Sequence, residues 1–209
     1  MHPANQENLF STNEILVKGY DLPDADIILY ENLFTREESD KLLMNLKENI
    51  KWQQDQIKLY GKKVDLPRLT AYYGGNDKPY SYSGITMNPN PWNEVLLFIK
   101  NKIEEKAGVE FTSCLLNYYR SGKDSMGWHQ DNEKELGQNP VIGSVSIGET
   151  RVFQLKHLQL KDLNTVQIPL KHGSFLLMRG STQNHWKHCI PKTSKALNAR
   201  INLTFRIIA

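Results

Sequence analysis

The spacing of hydrophobic residues changes character along the chain, and each change marks an element. Ile15-Leu16-Val17 and Ile27-Ile28-Leu29-Tyr30 are short apolar runs split by Asp21-Leu22-Pro23-Asp24, which predicts two short strands around a turn. Leu42, Leu43, Leu46 and Ile50 then recur at helical spacing. They follow Thr35-Arg36-Glu37-Glu38, a capping box, so a helix is predicted over about 36–50. Trp92, Leu96, Ile99 and Ile103 repeat that spacing. Asn90-Pro91-Trp92-Asn93 predicts the start of this second helix, with proline in its first position, and Gly108 its end. Lys100, Lys102, Glu104, Glu105 and Lys106 are assigned to its solvated side.

From residue 111 onward the pattern is that of strands. Phe111 to Arg120 is rich in β-formers, with Asn117 and Tyr119 on one face, and Ser121-Gly122-Lys123-Asp124 is a turn. Val141 to Ile147, Arg151 to Leu155, Val166 to Leu170, Ser174 to Met178 and Arg200 to Ile208 follow, with a polar loop at Glu133 to Pro140. Two helices followed by many short antiparallel strands predict an α+β, mainly β fold: a double-stranded β-helix, or jelly roll, with outer helices. Residues 1–14 read as a mobile polar tail, 15–110 as an N-terminal extension holding both helices, and 111–209 as the jelly-roll core, with 15–209 forming one structural domain.

Composition narrows the setting. The chain of 209 residues is 39% hydrophobic and 23% charged, enough for a full core. A net charge of +3 permits an anionic partner without demanding one. Two cysteines, Cys114 and Cys189, make no disulfide framework. No apolar run approaches the roughly 20 residues of a membrane span, and Met1 to Asn8 lacks the regions of a signal peptide. A monomeric intracellular protein with no membrane partner is expected, cytoplasmic in a bacterium or nuclear in a eukaryote. Residues 52–84 interleave Trp52, Tyr60, Tyr72, Tyr73, Tyr80 and Tyr82 with Lys58, Lys62, Lys63 and Arg68 among glycines and prolines. Such a segment is either an aromatic β edge with solvated lysines or a surface for stacking bases and pairing phosphates.

The chemistry centres on Trp128-His129-Gln130-Asp131. In extended chain His129 and Asp131 share a face, so an imidazole and a carboxylate converge. With a second histidine they make a 2-His-1-carboxylate site with open positions for ferrous iron. Alone, the pair reads more simply as a histidine oriented by a carboxylate. His185 and His188 are both available as the third ligand, on opposite faces if the segment is a strand. A zinc set of His185, His188 and Cys189 lacks the paired cysteines of a structural zinc motif. His157 and His172 fall in expected loops or turns, where a surface position is the default. In the last strand Ile201, Leu203, Phe205 and Ile207 alternate with Arg200, Asn202, Thr204 and Arg206. If the polar face points inward, its two guanidiniums need anionic partners, because a buried unpaired charge is very costly. A dicarboxylic acid such as 2-oxoglutarate is one, gripped bidentately by arginine and hydrogen-bonded by Asn117 and Tyr119.

These pieces together resemble the AlkB family of Fe(II)/2-oxoglutarate-dependent nucleic-acid demethylases, and within it the members that repair alkylated DNA. The marks are Pro67-Arg68 with Thr70-Ala71-Tyr72-Tyr73-Gly74, Tyr80-Ser81-Tyr82-Ser83-Gly84, Asn117-Tyr118-Tyr119, His129-Gln130-Asp131, His188, and Arg200 through Arg206. The resemblance covers about 66–206 and selects His188 over His185. It implies iron ligation by His129, Asp131 and His188, which are also the catalytic set. It implies 2-oxoglutarate binding by Asn117, Tyr119, Arg200, Asn202, Thr204 and Arg206, with Arg200 on the distal carboxylate. Tyr80, Ser81 and Tyr82 match the lid on which the damaged base stacks, and Asn132 and Glu133 match substrate-contacting positions, several relatives having aspartate in place of Asn132. Tyr60, with Gly61 and Lys62, falls where duplex-acting members carry an intercalating finger, and Arg68 is placed with the substrate contacts.

The implied reaction uses Fe(II), 2-oxoglutarate and dioxygen. It hydroxylates the methyl group of a base such as 1-methyladenine or 3-methylcytosine and releases formaldehyde, succinate and carbon dioxide. The base must first be flipped, and lesions that pair badly flip at least cost. The partner is alkylated DNA, single- or double-stranded, with RNA as the alternative substrate. A protein hydroxylase of the same chemistry and a non-catalytic nucleic-acid-binding domain are the other readings.

Overall fold

The computed structural model describes residues 14–59, 61–76, 78–82 and 85–208. In chain order the elements are β1 (Val17–Tyr20), β2 (Asp26–Tyr30), α1 (Arg36–Asn49), β3 (Gln56–Leu59), β4 (Lys62–Asp65), β5 (Leu69–Gly74), β6 (Tyr80–Tyr82), β7 (Ile85–Met87) and β8 (Asn90–Pro91). They continue with α2 (Glu94–Ala107), β9 (Ser113–Tyr119), β10 (Met126–His129), β11 (Ile142–Gly148), β12 (Arg151–His157), β13 (Val166–Leu170) and β14 (Ser174–Arg179). The chain closes with α3 (Thr182–His185), β15 (Trp186–Ile190) and β16 (Arg200–Arg206), and a 3-10 turn at Lys134–Leu136 follows β10.

Local chemistry sets the helix ends. Thr35 and Glu38 form the reciprocal capping box of α1, worth about 1 kcal/mol. The second helix departs from expectation at its start. Asn90-Pro91 is not its first turn but β8, paired in parallel with the end of β5. Asn93 caps α2 instead, accepting from the Leu96 amide, and Gly108 ends it in the left-handed conformation at φ 69°. Lys100 is not on a solvated face: it is 9% exposed and its ammonium lies 2.9 Å from the Glu104 carboxylate. No helix among the described residues is long and apolar enough to cross a membrane.

Two sheets face each other. The larger has the order β1-β2-β14-β11-β16-β9-β5-β8, and the smaller the order β10-β15-β12-β13. Strands from before and after residue 110 thus share one sheet. Hairpins β3–β4 and β6–β7 stand apart from both. Strict alternation divides the interior into two cores. Ile201, Leu203 and Phe205 of β16, with Cys114 and Leu116 of β9, pack against Leu42 and Leu46 of α1 and Leu96, Ile99 and Ile103 of α2. On the opposite face Leu115, Ile142, Leu176 and Met178 of the large sheet meet Phe153, Leu155, Trp186 and Ile190 of the small one. The polar residues of β16 fall on this second face, between the sheets. At the β11–β12 turn Gly148 has φ 99°, and a Cβ there would meet the Ala199 carbonyl oxygen at 2.4 Å. Only glycine lets that turn close against the residue that introduces Arg200.

Candidate metal and cosubstrate site

His129 and His188 face each other across the β10–β15 pair, in register, with ring centroids 4.3 Å apart. A bulge makes this possible. Between Met126↔Ile190 and His129↔His188 strand β10 has one residue more than its partner. Simple alternation would turn Met126 and His129 to opposite faces. The extra residue lets both line the same cavity and leaves Gly127 and Trp128 outside. The His129 Nδ1–H donates to the Gly127 carbonyl at 2.8 Å, so Nε2 keeps its lone pair for a metal.

Asp131 lies just past the end of β10 and is 1% exposed. Its Oδ1 accepts from Arg206 Nη2 at 2.7 Å, and its Oδ2 lies 3.8 Å from His188 Nε2. One ligating atom from each of His129, Asp131 and His188 lies within 4.8 Å of the others. Burial pushes the Asp131 pKa up, but Arg206 and the two imidazoles outweigh it and hold the carboxyl at about 2. Burial, with His129 close by, lowers His188 to about 3. At neutral pH the set is therefore a carboxylate and an uncharged imidazole beside His129, the donor types a divalent ion requires. His188 is further fixed by stacking on Phe153, with centroids 4.9 Å apart.

Register pairs set the cosubstrate wall: Arg200 with Tyr119, Asn202 with Asn117 and Thr204 with Leu115. Arg200 is 1% exposed and its Nη2 donates to Ser146 Oγ at 2.8 Å, while Nε and Nη1 are buried without a partner. Burial lowers its pKa to about 10, so it is charged at neutral pH. A buried guanidinium that meets a serine hydroxyl and the Tyr119 phenol, with no carboxylate paired to it among the described residues, is built to receive an acid. The Arg200 guanidinium also lies 5.2 Å from the Tyr119 ring centroid. Asn202 lines the same cavity, but both its amide hydrogens are used, on Ser144 Oγ and the Val145 carbonyl, and its Oδ1 accepts from Thr204. These bonds fix its side chain in the wall. The residues present thus fit both groups: three convergent donors for ferrous iron, and a charged fork deep in the same cavity for a dicarboxylate.

Arg68 is not a surface contact to substrate. It is 2% exposed, and its Nε donates to Asn117 Oδ1 at 2.6 Å and its Nη1 to the Ser125 carbonyl. That grip occupies the oxygen of Asn117 and leaves its amide hydrogens for the cavity. Asn132 is exposed and Glu133 half-buried, directly after Asp131. Gly61 and Lys62 are exposed on the β3–β4 hairpin, while Tyr60 lies outside the described residues. Tyr80, Ser81 and Tyr82 form β6, and their side chains lie outside the described residues.

His185 is not on the strand of His188. It ends α3, with its Nδ1 3.8 Å from Asp24 Oδ2, so a zinc set of His185, His188 and Cys189 is not assembled. Nor is His157 a surface histidine: it is 2% exposed beside the same Asp24. The trio Asp24, His157 and His185 is close enough to hold an ion. However, His157 Nδ1 accepts from the Gln159 and Leu160 amides, so its Nε2 carries the proton and donates to Asp24. That nitrogen has no lone pair to give, and the trio serves as a hydrogen-bonded corner. His172 is half-buried, accepting from the Gly148 amide and donating to Asp40.

Two further residues shape the site without any local signal in the sequence. Arg151 is 3% exposed, donates to the carbonyls of Ser121, Asp124 and Pro191, and stands 5.6 Å from the Tyr119 centroid on behalf of the cosubstrate wall. Gln183, 1% exposed on α3, accepts from the Asp131 amide through Oε1 at 3.0 Å, while its own carbonyl accepts from Gln130. It ties the turn that carries Asp131 to α3. Gln183→Ala is expected to weaken ferrous-iron affinity about 10- to 100-fold, the usual effect of losing a group that orients a ligand. Gln183→Glu, which keeps the acceptor, should recover most of it. Anaerobic iron titration checks both, and unchanged affinity in the alanine variant would reduce Gln183 to packing.

A family model described as the 2OG-Fe(II) oxygenase superfamily matches residues 26–206. The human protein named alpha-ketoglutarate-dependent dioxygenase alkB homolog 3 is 42% identical over 194 residues, covering 87% of this chain and 66% of that protein. Its bovine counterpart is 43% identical over 180 residues, covering 82% of this chain and 62% of its own length. The chain thus spans a little under two thirds of these relatives. The mouse DNA oxidative demethylase ALKBH2 is 35% identical over 188 residues, covering 86% of this chain and 79% of that protein. Among solved structures, OsALKBH1 superposes with a TM-score of 0.63 at 18% identity, covering 90% of this chain and 99% of that one, a likeness of fold.

Proposed function

Since the chain belongs to the 2OG-Fe(II) oxygenase superfamily, among its AlkB-type members, we propose that it oxidatively demethylates N-alkylated bases in DNA, of the 1-methyladenine and 3-methylcytosine type, releasing formaldehyde. The observation that carries this reading is the meeting, in one cavity, of the His129, Asp131 and His188 donors with an Arg200 guanidinium that no carboxylate answers among the described residues. Iron and 2-oxoglutarate, when bound, supply the two-electron activation of dioxygen that the protein alone cannot.

The residues have separable tasks. His129 Nε2, Asp131 Oδ2 and His188 would take three positions on the ion, leaving the others open. Arg206 occupies the second Asp131 oxygen, which favours ligation through one oxygen only. Arg200 would receive the distal carboxylate, and Asn117, held by Arg68, would present its amide hydrogens beside Tyr119. Tyr80 and Tyr82 would stack on the flipped base, and a cationic methylated ring suits their faces. Asn132 and Glu133 at the mouth would meet the nucleotide, and Tyr60 with Gly61 and Lys62 would enter a duplex. The printed name of ALKBH2, a DNA oxidative demethylase, supports DNA over RNA.

The test is anaerobic loading with iron, then oxygen and 2-oxoglutarate with matched DNA and RNA oligonucleotides carrying one 1-methyladenine or 3-methylcytosine. Stoichiometric succinate, formaldehyde and a base lighter by one methylene are expected on DNA. Turnover on RNA alone would move the substrate class. Absence of succinate with every oligonucleotide would leave a non-catalytic binding domain.

A further inference from the structure

The bulge that turns His129 inward also turns Trp128 outward. Trp128 is 43% exposed on β10, which is the free edge of the small sheet. It immediately precedes the cavity-lining His129 and points the other way, to the outer face of the small sheet. Lys187 of the neighbouring β15 places its ammonium 5.8 Å from the Trp128 ring centroid. Lys156 of β12 pairs in register with Lys187 and is exposed, so the cations continue across the outer face of the sheet. The other residues of that face in β12 and β13, namely Val152, Gln154, Gln167 and Pro169, carry no negative charge. An indole that a strand irregularity pushes into water, flanked by cations and by no acid on its own sheet face, is matched by a partner with flat rings and negative charges. A single nucleic-acid strand is that partner: bases stack on an aromatic face and phosphates pair with lysine.

We propose that Trp128 and Lys187 form a stacking platform for a base more than one nucleotide along the strand from the one that enters the cavity, so that the enzyme holds a strand at two points, one inside the cavity and one on the outer face of the β10 edge. The inference rests on the nucleic-acid reading above and adds to it a contact that fixes how much strand is engaged. A trinucleotide centred on the methylated base would reach the cavity but not the platform. A decanucleotide would reach both.

The experiment compares anaerobic binding of a trinucleotide and a decanucleotide of single-stranded DNA, each with one central 3-methylcytosine, to protein loaded with iron and 2-oxoglutarate. Of the four tryptophans, Trp186 is fully buried, Trp52 and Trp92 are half-buried, and Trp128 is the exposed one. The decanucleotide should therefore quench tryptophan emission in the wild type and not in Trp128→Phe. Trp128→Ala should lose about tenfold in affinity for the decanucleotide and little for the trinucleotide, with Trp128→Phe recovering most of the loss. Lys187→Ala should lower the salt dependence of decanucleotide binding by about one phosphate contact. Equal decanucleotide affinity in wild type and Trp128→Ala, or quenching that persists in Trp128→Phe, overturns the platform. Because binding is read without oxygen, it is scored separately from turnover. A wild type that binds through Trp128 but never demethylates would sink the functional reading and not this one.

Discussion

Replacing Arg200 with alanine is expected to raise the concentration of 2-oxoglutarate needed for half-maximal turnover by roughly two orders of magnitude, leaving oligonucleotide affinity within about twofold of wild type. The size follows from what is lost. Truncating one partner of a buried, hydrogen-bonded charge pair typically costs 2–5 kcal/mol, and about 2.8 kcal/mol is a hundredfold. Among the described residues this guanidinium meets Ser146 Oγ and the Tyr119 ring, and the other buried guanidiniums nearby are committed elsewhere, Arg206 to Asp131, Arg151 to three backbone carbonyls and Arg68 to Asn117. Arg200→Lys keeps the charge but not the fork, and should fall between the two. Steady-state kinetics in 2-oxoglutarate, alongside anisotropy on a methylated oligonucleotide, checks the claim. If oligonucleotide binding collapses while the cosubstrate requirement stays put, Arg200 belongs to the nucleic-acid surface and the assignment of the cavity is wrong.

Asp131→Ala should abolish succinate formation, by at least a thousandfold, and should also destabilise the metal-free protein. The second effect separates a ligand from a mere contact. Arg206 is 4% exposed and its charge is answered by Asp131 at 2.7 Å. Removing one member of such a pair leaves the other's charge without its carboxylate, at a cost of about 3–5 kcal/mol. Asp131→Asn keeps an acceptor for Arg206 and should restore much of the stability while remaining inactive, because a neutral amide is a poor ligand for a hard cation. Thermal melts of the metal-free variants and succinate assays of the loaded ones make the comparison. An asparagine variant that turns over at near wild-type rate would remove Asp131 from the metal.

The alternation in β16 could be read directly from sequence because a strand shows two faces at a period of two, and here each face meets a different core. The same held for the α1 capping box, whose partners are three residues apart. What no local pattern carries is set by pairing between distant segments. The β10 bulge exists only relative to β15, so no pattern within Met126 to His129 announces it. Arg68 sits among tyrosines and lysines, a setting that reads as a phosphate contact. Its burial comes from Asn117, 49 positions away, and Ser125, 57 away. Lys100 lies among charges, which locally reads as solvated, yet it is buried against Glu104 one turn on. Gln183 is an ordinary polar residue in sequence, and its hold on Asp131 spans 52 positions. Asn90-Pro91 mimicked a helix start because proline is equally at home in a first helical turn and in a short edge strand.

The separation of the two cores by one sheet has a practical meaning for anyone altering this protein. Side chains of β16 and β9 that point to the helices contribute cohesion, and their neighbours one position along line the cavity. Substitutions on the helical side, on the face of the sheet opposite the cavity, should add to one another and leave catalysis alone. That side can be recruited for thermostability, or can absorb neutral drift, while the wall facing the small sheet is held constant.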